Sequence, residues 1–251
     1  MPRKLLNADK PHLWKADTAA SVDQFNEWFM QFAPEAFRAT RVETTQHVKA
    51  ALLATCDLRK LTADVLKSHP EALPTLRMAT APPLAVDRLI GLSNANKNLV
   101  GRMEKKGRLP TRMKAAELDA QLASICRIIA RLLDRDIFPW LEGDKSPSEH
   151  ERMRSSSIVA DRLCSAVANP IVRNAQERRQ LTLIGEFLDK RGYRKQTHQA
   201  GKPITEMEPG TYTFHLNLPV GESLKVNIPI DAVIQPKKLR RDRLPVLIEA
   251  K

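Results

Sequence analysis

Apolar residues recur at helical spacing through most of the chain, from Asp17 to about Lys190. Two series show this spacing: Phe25, Trp28, Phe29 and Phe32, and then Leu118, Leu122, Ile125, Ile128, Ile129 and Leu132. Such spacing places apolar side chains along one face of a helix, so we expect both series to face a core. Prolines interrupt the pattern, because proline removes a backbone donor and clashes with the preceding turn. The larger, N-terminal part of the chain is therefore predicted to be helical.

Towards the end of the chain the pattern changes to alternating apolar and polar residues, with many β-branched side chains. This period predicts three strands, over residues 211–218, 224–234 and 244–251. Residues 219–223 are typical of a hairpin connection, and residues 235–243 form a polar, basic loop. The chain is therefore predicted to have an α+β fold, with a large helical part followed by helix, β-hairpin and strand.

The charge of the chain suggests its partner. The chain has 251 residues, a formal charge of +12 and a pI of about 9.8. Hydrophobic residues make up 42% and charged residues 28%, which is enough apolar material for a core and excludes a disordered chain. No apolar run approaches the roughly 20 residues of a membrane span, and the first residues are too polar for a signal peptide. We expect a cytoplasmic protein of one or two domains whose basic surface favours nucleic acid.

Several classes of site lack their signatures. Cys56, Cys126 and Cys164 are widely separated and odd in number, so they are expected to be ordinary buried thiols. No histidine lies at a metal-ligand spacing such as H-E-x-x-H, which argues against zinc. The sequence has no G-x-S-x-G elbow, no P-loop and no dinucleotide fingerprint. Serine hydrolases, P-loop NTPases and dinucleotide-dependent enzymes are therefore disfavoured.

Charged side chains occur inside the predicted strands. Asp231 interrupts an apolar strand, and Glu249 follows another, with Lys251 two residues later. Strand interiors disfavour carboxylates, so a compensating partner is expected. On neighbouring strands the three side chains can converge on one face. Asp231 and Glu249 would then hold Mg²⁺, which prefers carboxylate oxygens, and Lys251 would position or activate water. These are the groups that metal-assisted hydrolysis of a phosphodiester requires.

This arrangement resembles the signature of the PD-(D/E)xK nucleases. The Pro-Ile-Asp of residues 229–231 resembles its first element, from which the inserted isoleucine departs, and the Glu-Ala-Lys of residues 249–251 resembles its second. In that superfamily a preceding helix often supplies a further acidic residue, and Glu177 in the helical stretch 169–181 is the candidate for this assisting catalytic role. The alternatives are a last strand that simply emerges into solvent and a solvated Glu177 flanked by arginines.

A longer resemblance covers nearly the whole chain. The segments that carry it are residues 1–14, residues 73–78 with 82–91, and residues 158–164 through 168–177. In these segments the chain resembles the XamI-type restriction endonucleases. The resemblance implies a type II restriction enzyme that cuts double-stranded DNA at a specific site with Mg²⁺. It also implies a homodimer and a restriction-modification system with a cognate DNA methyltransferase.

Together, these patterns divide the chain into two predicted regions. Residues 1–150 are expected to form a helical region for DNA recognition or structure. Residues 151–251 are expected to form a partial restriction-endonuclease-like core of the PD-(D/E)xK type, without its C-terminal portion. The sequence stops at Lys251, whereas cores of this superfamily ordinarily continue, so we expect a truncated and inactive fragment.

Residues 83–110 have the rhythm of helix, tight turn and helix that is typical of a helix-turn-helix. Its second helix would present amides and cations that can contact bases or phosphates. The candidate DNA-binding residues there are Asn96, Lys97, Asn98 and Arg102. The alternative is a plain helical hairpin with a solvated basic face.

The basic loop allows two interpretations as well. Its candidate DNA-binding residues are Lys237, Lys238, Arg240 and Arg241. These cations either clamp phosphates beside the active site or lie on a surface loop.

Two functions therefore compete. The first is a Mg²⁺-dependent, site-specific endonuclease. The second is a non-catalytic helix-turn-helix regulator, in which the strands serve dimerisation or structure. The positions of Asp231, Glu249 and Lys251 relative to one another distinguish the two, because only the nuclease requires them to converge.

Overall fold

The computed structural model describes residues 10–143, 145–199, 201–220, 226–238 and 244–250. Over these residues the chain forms helices followed by one sheet, which confirms the predicted α+β class. The helices are α1 (Pro11–Ala54), α2 (Ala63–Ser68), α3 (Leu73–Met78), α4 (Val86–Ser93), α5 (Lys97–Lys106), α6 (Ala115–Leu132) and α7 (Glu149–Asp189). The strands are β1 (Arg194–Lys195), β2 (Thr211–Val220), β3 (Val226–Ile234) and β4 (Val246–Ile248).

Residue contacts divide the chain into two compact units, Met1–Asn169 and Pro170–Lys251. The division falls inside α7, at the proline that this helix contains. The sequence-based division at residue 150 stays a prediction about domains. None of the described helices is long and apolar enough to cross a membrane.

The core of the first unit is built from the apolar faces of its helices. Leu122, Ile125 and Ile129 of α6 are completely buried, and the other apolar residues of the same series pack against them at the edge of the core. The predicted amphipathic face of α6 is therefore confirmed. Side chains of the neighbouring helices and of the segment after α6 complete the cluster, among them Leu66, Leu73, Leu76, Leu89, Leu99 and Phe138.

An ion pair lies within this first unit. The Arg77 guanidinium donates to Glu104 through Nε at 2.6 Å and through Nη2 at 2.7 Å. It also donates to the carbonyl oxygen of Leu84. The side chains of Arg77 and Glu104 are only 9% and 11% exposed. The pair therefore ties α3 to α5 and to the segment before α4 with little competition from water.

The first half of α1 differs from the prediction. Up to Phe32, none of the α1 side chains that the structure describes is buried. Phe29 is 43% exposed, and the aromatic side chains stack on one another along the helix, with ring centroids 5.1 Å apart for Trp28 and Phe32. The expectation that this series lies in the core is wrong, because helical spacing aligns the rings on one face without specifying what covers that face.

The cysteines also depart in part from the prediction. Cys126 and Cys164 are buried, but Cys56 is exposed. Burial raises the pKa of the Cys126 thiol to about 11, so this thiol stays protonated at neutral pH. Cys56 lies just beyond α1, in a turn with a positive φ of 48°.

The sheet of the second unit has the order β1-β2-β3-β4. The two-residue strand β1 runs parallel to β2, and the other two pairs are antiparallel. The three predicted strands correspond to β2, β3 and β4. The predicted hairpin connection lies largely outside the described residues. Sequence periodicity missed β1, because two residues are too short to show alternation.

The C-terminal part of α7 packs on this sheet. Leu181 and Leu188 are buried, and a Cβ added at Gly185 would lie 3.4 Å from the hydroxyl of Tyr212. That hydroxyl donates to Asp189 Oδ1 at 2.9 Å. Burial, assisted by this hydrogen bond, raises the pKa of Tyr212 to about 12. The close approach at Gly185 fixes which face of α7 lies against the strands.

Candidate active site

The strand register aligns three polar residues across the sheet. Phe214 pairs with Ala232 and Leu216 with Ile230, so His215 lies opposite Asp231. On the other side of β3, Ala232 pairs with Ile248, and the next position in that register puts Glu249 beside Asp231. Directly opposite residues in antiparallel strands share a face of the sheet. We call His215, Asp231 and Glu249 the polar row.

Glu177 of α7 reaches this row. Its Oε1 lies 3.6 Å from Nδ1 of His215. One ligand atom from each of Glu177, His215 and Asp231 lies within 4.8 Å of the other two, and we call these three residues the Glu-His-Asp cluster. Glu177 and Asp231 are half-buried, whereas His215 is exposed. The structure therefore brings together Asp231 and Glu177, two of the residues that the sequence singled out.

The helix presents its site residue by simple periodicity. Glu177, Gln180 and Ile184 are spaced by three and four residues, so they lie on one face of α7. Gln180 and Ile184 line a small cavity of about 300 Å³ together with Glu249 and its neighbours at the end of β4. This face of α7 therefore lies against the edge of the sheet where the polar row ends.

The backbone of His215 is strained. Its φ is +54°, in the left-handed region that non-glycine residues rarely occupy. The ladder between β2 and β3 is interrupted at this residue, between the pairs Phe214–Ala232 and Leu216–Ile230. A left-handed non-glycine residue costs on the order of 1 kcal/mol, so the surrounding strands hold a conformation that His215 would not adopt alone.

Asp231 is fixed by a backbone donor. The N–H of Ala250 donates to its Oδ2 at 2.6 Å. The bond joins β3 to the segment that follows β4, and it restricts the rotation of the carboxylate. A carboxylate carries about four lone-pair sites, so Asp231 retains the capacity to accept a metal ion as well.

Glu249 lies close to the cluster without belonging to it. Its side chain is exposed, and it lines the small cavity beside α7. It already has a polar or electrostatic partner, and its carboxylate is not among the atoms that lie within 4.8 Å of one another. Lys251, the third residue of the predicted motif, lies outside the described residues.

The geometry of the Glu-His-Asp cluster fits a divalent metal ion. Atoms that bind one ion at about 2.1 Å cannot be more than about 4.2 Å apart, so 4.8 Å requires only small side-chain rotations. Two carboxylates and one imidazole are all common metal ligands. The carboxylates of Glu177 and Asp231 would hold the ion, and the imidazole of His215 lies beside them.

The predicted helix-turn-helix consists of α4, a turn with a left-handed Asn94, and α5. Asn96 caps α5, because its side chain accepts from the N–H of Asn98 at 2.8 Å. Its own N–H donates to Gln121 Oε1 at 2.8 Å. The side chain of Asn96 therefore has a structural role at this helix end.

The other DNA-binding candidates of α5 are open to solvent. Lys97, Asn98 and Arg102 are exposed. Asn98 and Arg102 line a shallow cavity of about 470 Å³ with Pro110, Thr111 and Arg112. Two arginines and an amide on this surface suit a phosphate or a base edge.

The basic loop is described only in part. The ammonium of Lys237 donates to the carbonyl oxygen of Arg191 just after α7 and lies 5.2 Å from the ring of Tyr193. Lys238 is exposed. Arg240 and Arg241 lie outside the described residues. Lys237 therefore binds a backbone carbonyl next to the end of α7. This contact is separate from the predicted contact of Lys237 with phosphate.

Sequence reasoning missed His215. The alternation in β2 indicated an exposed strand position and nothing more. The available signal was the hairpin: pairing β2 with β3 around their connection places His215 opposite Asp231. Without this pairing of β2 with β3, no local pattern in the sequence distinguishes His215 from an ordinary exposed histidine.

Comparisons with known proteins match most of the chain. The family described as XamI restriction endonuclease matches residues 56–251. The chain is 51% identical to the type II restriction enzyme SalI of Streptomyces albus G over 247 residues, which are 98% of this chain and 78% of SalI. No solved structure matches the chain. The Glu-His-Asp cluster and Glu249 all lie within the range that the family matches.

Proposed function

Because the chain belongs to the XamI restriction endonuclease family, we propose that it hydrolyses phosphodiester bonds of double-stranded DNA at a specific site, with Mg²⁺ held at Asp231 and Glu177 and with Glu249 beside them. The observation that carries the proposal is the convergence of Glu177 and Asp231 within 4.8 Å of each other and of His215. The comparisons give no support to the alternative of a non-catalytic regulator.

Each residue contributes a distinct part of the chemistry. Asp231 offers a carboxylate whose orientation is fixed by the N–H of Ala250. Glu177 offers a second carboxylate from the rigid backbone of α7. Glu249 accepts a proton from, or orients, the attacking water. Lys251 stabilises negative charge on the phosphate. When bound, the divalent ion supplies positive charge for the transition state.

DNA binding draws on the basic surface of the chain. The net charge of +12 favours the phosphate backbone and makes the affinity dependent on salt. Asn98 and Arg102 supply contacts from the first unit, and Lys238 is exposed for the same role in the second. Base readout by the amide and phosphate binding by the cations would together give a preferred site.

The active form is proposed to be a homodimer that works alongside a cognate DNA methyltransferase. The aromatic face of α1 is only partly buried, and it offers a surface for a second copy of the chain.

The proposal is tested by measuring metal binding and DNA cleavage separately in the 251-residue chain. Binding of Mg²⁺ is followed by calorimetry, and cleavage by conversion of supercoiled plasmid. Asp231→Asn keeps the shape of the side chain and removes its charge, so it is expected to lower the Mg²⁺ affinity at least about tenfold and to remove whatever cleavage the wild-type chain shows. That the chain cleaves weakly or not at all stays a prediction, and the same plasmid assay measures it.

A matched control is available on the same helix. Glu186 of α7 is exposed and lies outside the cluster, so Glu186→Gln removes the same kind of charge without touching the site. It should bind Mg²⁺ as the wild type does, whereas Glu177→Gln should not. Equal Mg²⁺ affinity in wild type and Asp231→Asn, or plasmid cleavage that survives Asp231→Asn, contradicts the proposal.

A further inference from the structure

We propose that His215 is a direct ligand of the metal ion, and that the Glu-His-Asp cluster consequently binds a divalent transition-metal ion such as Mn²⁺ more tightly than Mg²⁺. This inference rests on the proposed function, because it concerns the ion of that same site. It adds a ligand that the sequence motif does not contain.

The first support is the distance between His215 and Glu177. Nδ1 of His215 lies 3.6 Å from Oε1 of Glu177, which is too long for a hydrogen bond. Two neighbouring ligand atoms of one ion, each bound at about 2.1 Å, lie roughly 3.0 to 3.4 Å apart in octahedral or tetrahedral geometry. The observed spacing is therefore close to that of two ligands of one ion.

The second support is the way in which three elements converge. Glu177 comes from α7, His215 from β2 and Asp231 from β3. His215 meets the other two from a left-handed backbone conformation that interrupts its strand. Its side chain is 62% exposed, so the imidazole can be reached by an ion and by a phosphate oxygen. Three protein ligands would leave coordination positions for water and substrate.

The third support is ligand chemistry. Mg²⁺ is a hard ion that prefers oxygen and keeps several waters. Imidazole nitrogen favours transition metals, whose affinity for such sites rises from Mn²⁺ through Co²⁺ and Ni²⁺. A site of two carboxylates and one imidazole should therefore select Mn²⁺ over Mg²⁺, whereas a site of carboxylates alone selects much less between them.

The test uses the 251-residue chain with Mn²⁺ and Mg²⁺ salts alone as probes. Calorimetry gives both affinities, and pulsed electron paramagnetic resonance of the Mn²⁺ complex detects coupling to a ligand nitrogen. Wild type should bind Mn²⁺ at least about tenfold more tightly than Mg²⁺ and show nitrogen coupling. His215→Asn should lose the coupling and most of the selectivity, while its Mg²⁺ affinity changes little.

The variant is chosen so that the fold survives. Asparagine enters the left-handed region more readily than most residues, so His215→Asn keeps the backbone of β2 and removes only the ring. His198→Asn is the matched control, because this histidine lies in the same unit outside the cluster. An unchanged thermal transition for both variants shows that the comparison concerns the site.

The results separate this inference from the proposed function. Bound Mn²⁺ without nitrogen coupling in the wild type, or coupling that persists in His215→Asn, overturns the role of His215 and leaves the carboxylate site standing. Nitrogen coupling that depends on His215, together with cleavage that does not depend on Asp231, supports the ligand and overturns the proposed nuclease site.

Discussion

The buried pair of Arg77 and Glu104 makes a prediction at the scale of a single residue. Arg77→Ala leaves the Glu104 carboxylate and the Leu84 carbonyl without their donor in a place that water barely reaches. Removing one partner of a buried ion pair costs about 3–5 kcal/mol, so we expect a loss of this size in the free energy of unfolding. Urea denaturation followed by circular dichroism measures it.

An exposed ion pair in the same unit provides the control. Arg41 donates to Asp161 at 3.0 Å, with both side chains open to solvent. Pairs of this kind contribute less than about 1 kcal/mol, so Arg41→Ala should have little effect. Similar losses for the two variants would mean that burial does not determine the strength of the Arg77 pair.

At the same scale, the sequence revealed the carboxylates of the site better than its histidine. Asp231 was noticeable because a charge inside an apolar strand requires a compensating partner. Glu177 was identified because a helix that precedes the strands often supplies an acidic residue in the PD-(D/E)xK nucleases. His215 gave no such signal, since a histidine at an exposed strand position is ordinary. Its position in the cluster depends on strand register and on a left-handed backbone, and neither can be read from local periodicity.

At the scale of elements, two glycines are predicted to respond oppositely to the same substitution. Gly185 lies inside α7, and a Cβ there would make ordinary contacts with Tyr212 and Phe214. Gly107 ends α5 with a φ of +55°, and a Cβ there would lie 2.9 Å from Cβ of Glu71. Alanine is favoured in a helix by about 1 kcal/mol over glycine, but is strained at positive φ.

We therefore expect Gly185→Ala to raise the thermal transition and Gly107→Ala to lower it. Each substitution adds one methyl group, so each serves as the control for the other. Differential scanning calorimetry measures both shifts. A fall for Gly185→Ala would mean that α7 lies closer to the sheet than its contacts indicate.

The start of α7 makes a prediction about pH. Glu151 accepts from the N–H of Ser148 at 2.7 Å and from its hydroxyl at 2.8 Å, which is a capping box. The hydrogen bond from the Ser148 backbone, followed by that from its side chain, holds the pKa of Glu151 below its ordinary value of about 4.5. The charged Glu151 therefore stabilises the fold fully at pH values above about 4.5, and this stabilisation is lost as the pH falls through the lowered pKa.

We expect Glu151→Gln to lower the melting temperature at pH 7, and the difference from wild type to vanish in acid. Glu149→Gln removes a charge from the same turn without breaking the capping box, so its effect should be smaller. Thermal unfolding of the three proteins at a series of pH values measures this. A difference that increased towards low pH would have the wrong sign for a lowered pKa.

The elements themselves were largely predictable. The period of α6 and the alternation of β2 and β3 identified both helix and strands, because these segments bury one face. The burial of α1 was not predictable: its aromatic residues have the same helical period as α6, yet none of them up to Phe32 is buried, and Phe29 is exposed. Periodicity identifies a face, whereas its covering depends on partners that a single sequence does not reveal.

At the scale of the whole molecule, this aromatic face underlies the proposed homodimer. Phe25→Ser with Phe29→Ser removes two rings of the face and is expected to lower the molar mass measured by light scattering from that of a dimer to that of a monomer. Leu53→Ser is the control, because Leu53 lies on the same helix, is 81% exposed and belongs to its opposite end. A wild-type monomer, or a dimer that survives the double substitution, contradicts the proposal.

The polar row has a consequence for how chains of this family can diverge. His215, Asp231 and Glu249 are adjacent only through the alignment of three strand segments, while more than a dozen residues separate each from the next along the sequence. A slip of β3 by one residue would turn Asp231 to the opposite face of the sheet. The same slip would turn the buried apolar side chains of β3 towards solvent. We therefore expect relatives of this chain to tolerate changes of length and composition between these strands, provided that the same alignment is kept. The geometry of the polar row thus depends on strand register, which a motif search along the sequence does not detect.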